Sequence, residues 1–353
     1  MSALLPQRRL GRSDAWVSSV GFGAASLGNL YRETTEVEAA DAVDAAWELG
    51  VRSFDTAPHY GLGLSERRLG AALAGRPRRE FSLSTKVGRR LVPNPHPTGL
   101  DDGGFIVPDD FVRRWDFSRE GILASLDGSL QRLGVDRVDV LLAHDPDAAG
   151  PDAAMEALPT LLELREQGVA TAIGVGTNSA EQAAELIADG RIDVVMLAGR
   201  HSLLEQGAIE TVLEPALAAG ISVIAVGVYN SGLLAAPRPA ADATYDYLPA
   251  PASLLARANR IADVCEAHGV TLPVAALAFA GAHPAVAGVA IGMRTRAQVV
   301  ENLERAAVAV PPQLWHDLIA EGLITRAGVG AGSSGDARLG AAPGGAREEG
   351  APQ

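Results

Sequence analysis

FDTAPHYGLGLSERRLG occupies residues 54–70. The stretch begins as the end of an apolar strand and finishes as the start of a helix. Between the two lie Asp55, His59 and Tyr60, crowded by Pro58, Gly61 and Gly63. A strand that turns directly into a helix is the repeating joint of an α/β protein, and ionisable groups at such a turn stand at the carboxyl end of a strand, where α/β folds place their sites.

The same joint recurs along the chain. Apolar runs VGFGAASL, RSFDTA, FSLSTKVG, VDVLLAHD, TAIGVGTN, DVVMLAGR, SVIAVGVY and AGVAIGM alternate with amphipathic patterns such as EVEAADAVDAAWELG and REGILASLDGSLQRLG, several of which end in glycine, a common helix stop. Continuous apolar strands indicate a parallel sheet buried on both faces. Eight such units in about 300 residues match a (β/α)8 TIM barrel, with an open doubly wound sheet as the alternative. RRLGRSDAWVSS near the N-terminus reads as a hairpin. No composition break divides residues 1–326, which are expected to form a single barrel domain. The Gly/Ala-rich tail, residues 327–353, is expected to be disordered. Two long segments, 89–116 after the third strand and 235–252 (with Tyr245 and Tyr247) after the seventh, would overhang the C-terminal face.

A net charge of −13 argues against a nucleic-acid or anionic-membrane partner, and no run approaches the ~18 apolar residues of a spanning helix. The first ten residues lack the apolar core of a signal peptide. With Cys265 alone, no internal disulfide forms, so a reducing, cytoplasmic location is expected. Lys86 is the only lysine among 30 basic residues. Lysine supplies a compact ammonium of adjustable pKa, which arginine does not.

In a barrel, Asp55 and Tyr60 fall at or just past the end of the second strand, Lys86 at the end of the third and His144 at the end of the fourth. Each has an ordinary reading: Asp55 as a turn cap, Tyr60 as packing, His144 as a loop histidine or a metal ligand. Together they converge on one mouth. An ammonium beside a tyrosine favours tyrosinate, and an acid beside the ammonium holds it charged.

DTAPHYGLGLSERRLG, STKVG and LLAHDPD together resemble the aldo-keto reductase superfamily, and the likeness runs through about residues 8 to 310. The resemblance implies a nicotinamide cofactor bound without a Rossmann domain and a catalytic tetrad of Asp55, Tyr60, Lys86 and His144, with Tyr60 as general acid/base. It implies cofactor contacts from Gly23 by close backbone approach, from Thr177 and Asn178 at the carboxamide, from Val228, Tyr229, Asn230 and Ser231 around the pyrophosphate, and from Arg294, Gln298 and Asn302 at the adenosine end. An arginine there suits a 2′-phosphate and favours NADP over NAD. His59, Phe111 and Trp115 are the candidate substrate wall. The sequence departs from the family where AVGVYN lacks the usual stacking aromatic and where His201 stands in place of a frequent tyrosine.

WDFSREGILASLDGSLQRLGVDRVDVLLAHDPD, AGRHSLLEQ and GVYNSGLL are most similar to the branch containing D-threo-aldose 1-dehydrogenase and pyridoxal 4-dehydrogenase. That likeness implies oxidation of a sugar hemiacetal to a lactone, or chemistry at an aldehyde carbon, with a small carbonyl or sugar molecule as partner. Other readings are a reductase working mainly in the reductive direction, a non-catalytic NADP(H)-binding sensor, and a metal-dependent hydrolase using His144, Asp145 and Asp147. A metal site is not expected.

Overall fold

The computed structural model describes residues 4–246 and 248–329. Eight strands close into a barrel: β1 (Val20–Gly23), β2 (Ser53–Asp55), β3 (Ser82–Val87), β4 (Val138–His144), β5 (Ala170–Thr177), β6 (Val194–Ala198), β7 (Ser222–Val226) and β8 (Val286–Gly292). Each pairs in parallel with its neighbour in sequence, and β8 closes on β1 from Val289↔Val20 to Gly292↔Gly23. The eight apolar runs of the sequence are these strands, and the open sheet is excluded.

Six helices follow β1 to β6 in turn: α1 (Glu36–Glu48), α2 (Leu64–Leu73), α3 (Arg119–Leu133), α4 (Ala153–Glu166), α5 (Ala180–Asp189) and α6 (Glu214–Ala219). Between β7 and β8 lie α7 (Ala252–Ala267) and α8 (Leu272–Ala280); α9 (Arg296–Ala307) and α10 (Pro312–Ala320) come after β8. Apolar side chains fill the layer between strands and helices, and a second cluster joins α7, α8 and α10 around Phe279 and Trp315. No single helix among the described residues is long and apolar enough to cross a membrane.

The barrel interior is packed by Val140, Leu142, Ala172, Val194, Met196, Ile224 and Ala287 together with Leu10, Ala15 and Val17. The last three belong to the expected N-terminal hairpin, in which Gln7–Arg9 pairs antiparallel with Trp16–Ser18. This plug closes the N-terminal end of the barrel and leaves the C-terminal end for chemistry.

The segment expected as a long loop after β3 is instead a hairpin, Arg89–Pro93 paired with Phe111–Trp115. Gly88, at φ +98, turns the chain out of β3, and Asp116 N–H donates to its carbonyl to close the base. The hairpin's tip folds back on the barrel: Tyr31 N–H donates to Gly104 O, Ile106 N–H to Asn29 O, and Asn29 Nδ2 to Ile106 O. In the segment after β7, Thr244–Tyr245 pairs with Leu248–Pro249; Tyr247 lies outside the described residues. Arg326–Val329 forms a 3-10 helix with Val329 buried in the cluster that holds Phe279, so regular structure runs past residue 326. The rest of the expected tail, residues 330–353, lies outside the described residues.

Candidate active site

The turn after β2 is fixed by backbone meeting backbone. A Cβ on Gly28 would stand 2.6 Å from the carbonyl carbon of Tyr60, and one on Gly61, at φ +62, would stand 2.3 Å from Gly28 O. Only two glycines allow that approach, and it seats Tyr60 over the barrel mouth. Ser65, which reads in sequence as a helix cap, is not one. Gly63, at φ +82, is the N-cap of α2, and the Ser65 hydroxyl donates to Ala24 O at 2.7 Å while sharing a hydrogen bond with Thr56 Oγ1. Glu66 is wholly buried, accepting from Thr85 Oγ1 at 2.8 Å and from Arg132 Nε at 2.6 Å. These two residues tie α2 to the strand positions next to Asp55 and Lys86.

At the mouth, Lys86 Nζ donates to both carboxylate oxygens of Asp55 at 3.0 and 2.8 Å, to Thr56 O at 3.0 Å and to the Tyr60 hydroxyl at 3.1 Å. Ser84 Oγ donates to Asp55 Oδ1 at 2.6 Å. Burial works against the Lys86 charge, but the Asp55 carboxylate, then the Tyr60 hydroxyl, hold the ammonium well above its ordinary range. For Tyr60, burial raises the phenol pKa and Lys86 pulls it back; the net direction is upward. Lys86 does favour tyrosinate as expected, but burial outweighs it.

His144 closes the set, its ring edge-on to Tyr60 at 5.9 Å, with Nδ1 buried and unpartnered. Burial first, then Arg89 and Lys86, push its pKa well below the ordinary value, so it is a neutral imidazole. His59 stands directly beside Tyr60 and His144. Its ring lies 5.6 Å from His144, 5.9 Å from Tyr60 and 5.2 Å from Phe105. Burial, then Arg89 and Arg113, push its pKa down to about 2.

The hairpin supplies groups that the sequence did not single out. Phe105 packs on Tyr60 and His59. Arg113 pairs with Asp101 and donates to His59 O at 3.0 Å. Arg89 pairs with Asp145 and lies 4.4 Å over the Trp115 ring, which stacks on Phe117. Trp115 thus stands at the hairpin base beside the site, whereas Phe111 pairs with Pro93 at its far end, exposed and away from the tetrad. Asp145 lies beside His144 but pairs with Arg89, and Asp147 accepts from Thr177 Oγ1 at 3.0 Å. Among the described residues no cluster of three or more His, Cys, Asp or Glu side chains is arranged to hold a metal ion.

Beside this mouth runs a cavity of about 590 Å³ lined by Asn178, Gly199, residues 227–232 and Ala290–Gly292. It shares Leu30 with the apolar cluster that seats Tyr60. Gly199, Gly227, Asn230, Ser231 and Gly232 all have positive φ, which turns the peptide planes of that loop, and Asn230 Oδ1 is buried without a partner. A small-residue wall with an orphaned polar atom fits a nicotinamide dinucleotide. A Cβ on Gly23 would stand 3.2 Å from the Ile291 backbone of the neighbouring β8. Three adenosine-end candidates are engaged within the protein. The Arg294 guanidinium donates to Arg32 O, Thr34 Oγ1 and Leu30 O; Gln298 Oε1 accepts from Arg294 N–H; Asn302 Oδ1 accepts from the Tyr229 hydroxyl. His201 packs on Phe279 in the helical core, not on this cavity.

The family profile of the Aldo/keto reductase family matches residues 19–321. The chain belongs to the aldo/keto reductase family. It is 45% identical to a D-threo-aldose 1-dehydrogenase of Pseudomonas sp over 312 residues, covering 87% of this chain and 95% of the relative. It is 36% identical to a pyridoxal 4-dehydrogenase of Microbacterium luteolum, covering 90% and 98%. Among solved structures, an aldo-keto reductase of Bacillus halodurans in holo form superposes with a TM-score of 0.72 at 27% identity, over 91% of this chain and 97% of that one. As a family member with an aldose dehydrogenase relative, the chain is an NAD(P)-dependent oxidoreductase acting on a small carbonyl or sugar substrate.

Proposed function

We propose that this aldo-keto reductase oxidises the hemiacetal hydroxyl of an aldose to the lactone, with Tyr60 as the general base. The observation that carries the reading is the Lys86 ammonium held between the Asp55 carboxylate and the Tyr60 hydroxyl. A bound nicotinamide would supply the hydride acceptor for the substrate C1. Tyr60 takes the anomeric hydroxyl proton, and Lys86 stabilises the phenolate that makes this possible. His144, neutral and buried, hydrogen-bonds the reacting oxygen and orients it. Asn178, with Thr177 at the head of the loop, would hold the carboxamide, and residues 228–231 the pyrophosphate. The two relatives named for aldose and pyridoxal oxidation support the substrate class.

Arg294 is the residue whose type favours NADP, and its guanidinium is committed to residues 30–34. NAD and NADP therefore enter the test on equal terms. Purified protein is assayed by nicotinamide absorbance with L-fucose, D-arabinose, L-galactose, pyridoxal and simple aldehydes, each with both cofactors. Aldose oxidation should exceed aldehyde reduction in kcat/KM. Because burial raises the Tyr60 pKa, the base form is scarce at neutral pH, and oxidation should rise by up to about tenfold per pH unit from 7 to 9. A flat profile where hydride transfer limits the rate would remove Tyr60 as the base. Nicotinamide binding without turnover of any of these substrates would instead favour a non-catalytic sensor.

A further inference from the structure

The Arg89–Asp145 pair is not needed by the proton chemistry, yet it stands at the tetrad. Asp145 follows His144 directly and sits at φ 40, ψ 55, a left-handed conformation that costs an L-residue with a Cβ free energy and is found mostly at turns and sites. The bend carries its carboxylate beside the reacting position, with Oδ2 3.6 Å from His144 Nε2. Arg89 comes from the other side, off the hairpin, and pairs with the same oxygen. Its guanidinium lies over the Trp115 ring, and its Nε is buried without a partner. Asp145 Oδ2 thus serves both Arg89 and the edge of His144, and the side chain keeps 26% exposure at the mouth. A salt bridge needed only to latch the hairpin would gain nothing from a strained backbone beside the catalytic histidine.

We propose that Arg89 and Asp145 form a diol-reading subsite that selects polyhydroxylated substrates, Asp145 accepting from the hydroxyl next to the reacting carbon and Arg89 donating to the one beyond. The inference rests on the aldose-oxidation reading. With the reacting oxygen on His144 Nε2, the adjacent hydroxyl is the substrate group nearest to the Asp145 carboxylate. A carboxylate and a guanidinium side by side offer an acceptor and donors in fixed array, which matches neighbouring hydroxyls. Trp115, with 43% of its surface exposed, lies under the Arg89 guanidinium and holds it at the edge of the wall. Sites built to hydrogen-bond a substrate hydroxyl reject analogues that lack it, because their own polar groups are then left unpaired.

The test compares L-fucose with 2-hydroxytetrahydropyran, a cyclic hemiacetal with no other hydroxyl, both oxidised with the same cofactor. Wild type, Arg89→Met and Asp145→Asn are assayed. Asparagine tolerates the left-handed conformation at least as well as aspartate, so Asp145→Asn keeps the fold should Arg89→Met loosen the hairpin. The ratio of kcat/KM for fucose over the bare hemiacetal should fall at least tenfold in both variants, with most of the loss in the fucose KM. Equal losses on the two substrates, or a loss confined to kcat, would make the pair a support for His144 and overturn the subsite. An unchanged ratio would overturn it as well. If wild type oxidises neither hemiacetal, the functional reading itself fails, and that outcome is seen before any variant is made.

Discussion

At the scale of single residues, the site depends on the size of one cation. Lys86 is 2% exposed, and its nitrogen has three different partners within 3.1 Å: the Asp55 carboxylate, the Thr56 carbonyl and the Tyr60 hydroxyl. A guanidinium keeps the charge but is planar and larger, and it cannot take that compact geometry. Lys86→Arg should therefore lower kcat by about 100-fold or more, within the range that general acid–base groups contribute. Lys86→Met should do the same and also leave the Asp55 charge buried without its partner. Cofactor fluorescence titration should still show binding in Lys86→Arg, because the cavity beside Asn178 is lined by other residues. Near-normal turnover in Lys86→Arg would remove the lysine from the mechanism.

At the scale of elements, the turn after β2 is held by its contact with the loop after β1. Gly28→Ala would push a methyl carbon into the Tyr60–Gly61 peptide, which is backbone and unable to swing aside. The expected cost is about 1–3 kcal/mol of stability from overpacking. A displacement of Tyr60 of about 1 Å is enough to lower kcat about 100-fold. Gly207→Ala, which meets open space, serves as the control and should leave both thermal stability and kcat unchanged. Equal activity in the two alanine variants would show that the glycine contact does not set Tyr60.

Some of these elements are written locally in the chain and others are not. The eight strands are legible in sequence, and so is the placing of Asp55, Lys86 and His144 at or near their carboxyl ends, because a continuous apolar run is a local signal and the barrel fixes where its last residues point. The hairpin is not, because the partners of Phe105 and Arg113 lie 45 and 54 positions back in the chain at Tyr60 and His59. Nor does anything local say that Phe105 will pack against His59. The type and place of Ser65 suit a helix cap, but Gly63 enters α2 in a left-handed conformation and leaves the hydroxyl for Ala24. Arg294 has the right type beside the right helix, yet three oxygens of the β1–α1 loop claim it first.

At the scale of the whole molecule, buried neutral histidines make the barrel sensitive to acid. His59 and His144 stand in the mouth, and His201 lies far from them in sequence, stacked 5.2 Å from Phe279 in the helical core with neither ring nitrogen hydrogen-bonded. Burial, then the neighbouring His283, push the His201 pKa down to about 3. An unfolded histidine titrates at about 6.5. Between those two values the unfolded chain takes up a proton that the folded chain refuses, so this contribution to stability is fully present above pH 6.5 and is lost progressively as pH falls toward 3. At pH 5 the loss from His201 alone comes to about 2 kcal/mol. His201→Phe removes the titrating group and keeps an aromatic ring against Phe279. Its melting temperature should therefore fall less than that of the wild type between pH 7.5 and pH 5, by about 2–4 °C. Because His201 lines neither the mouth nor the cofactor cavity, the variant should keep its pH profile of turnover. If both proteins lose the same number of degrees over that interval, His201 is protonated in the folded state and the acid sensitivity must come from the histidines of the mouth.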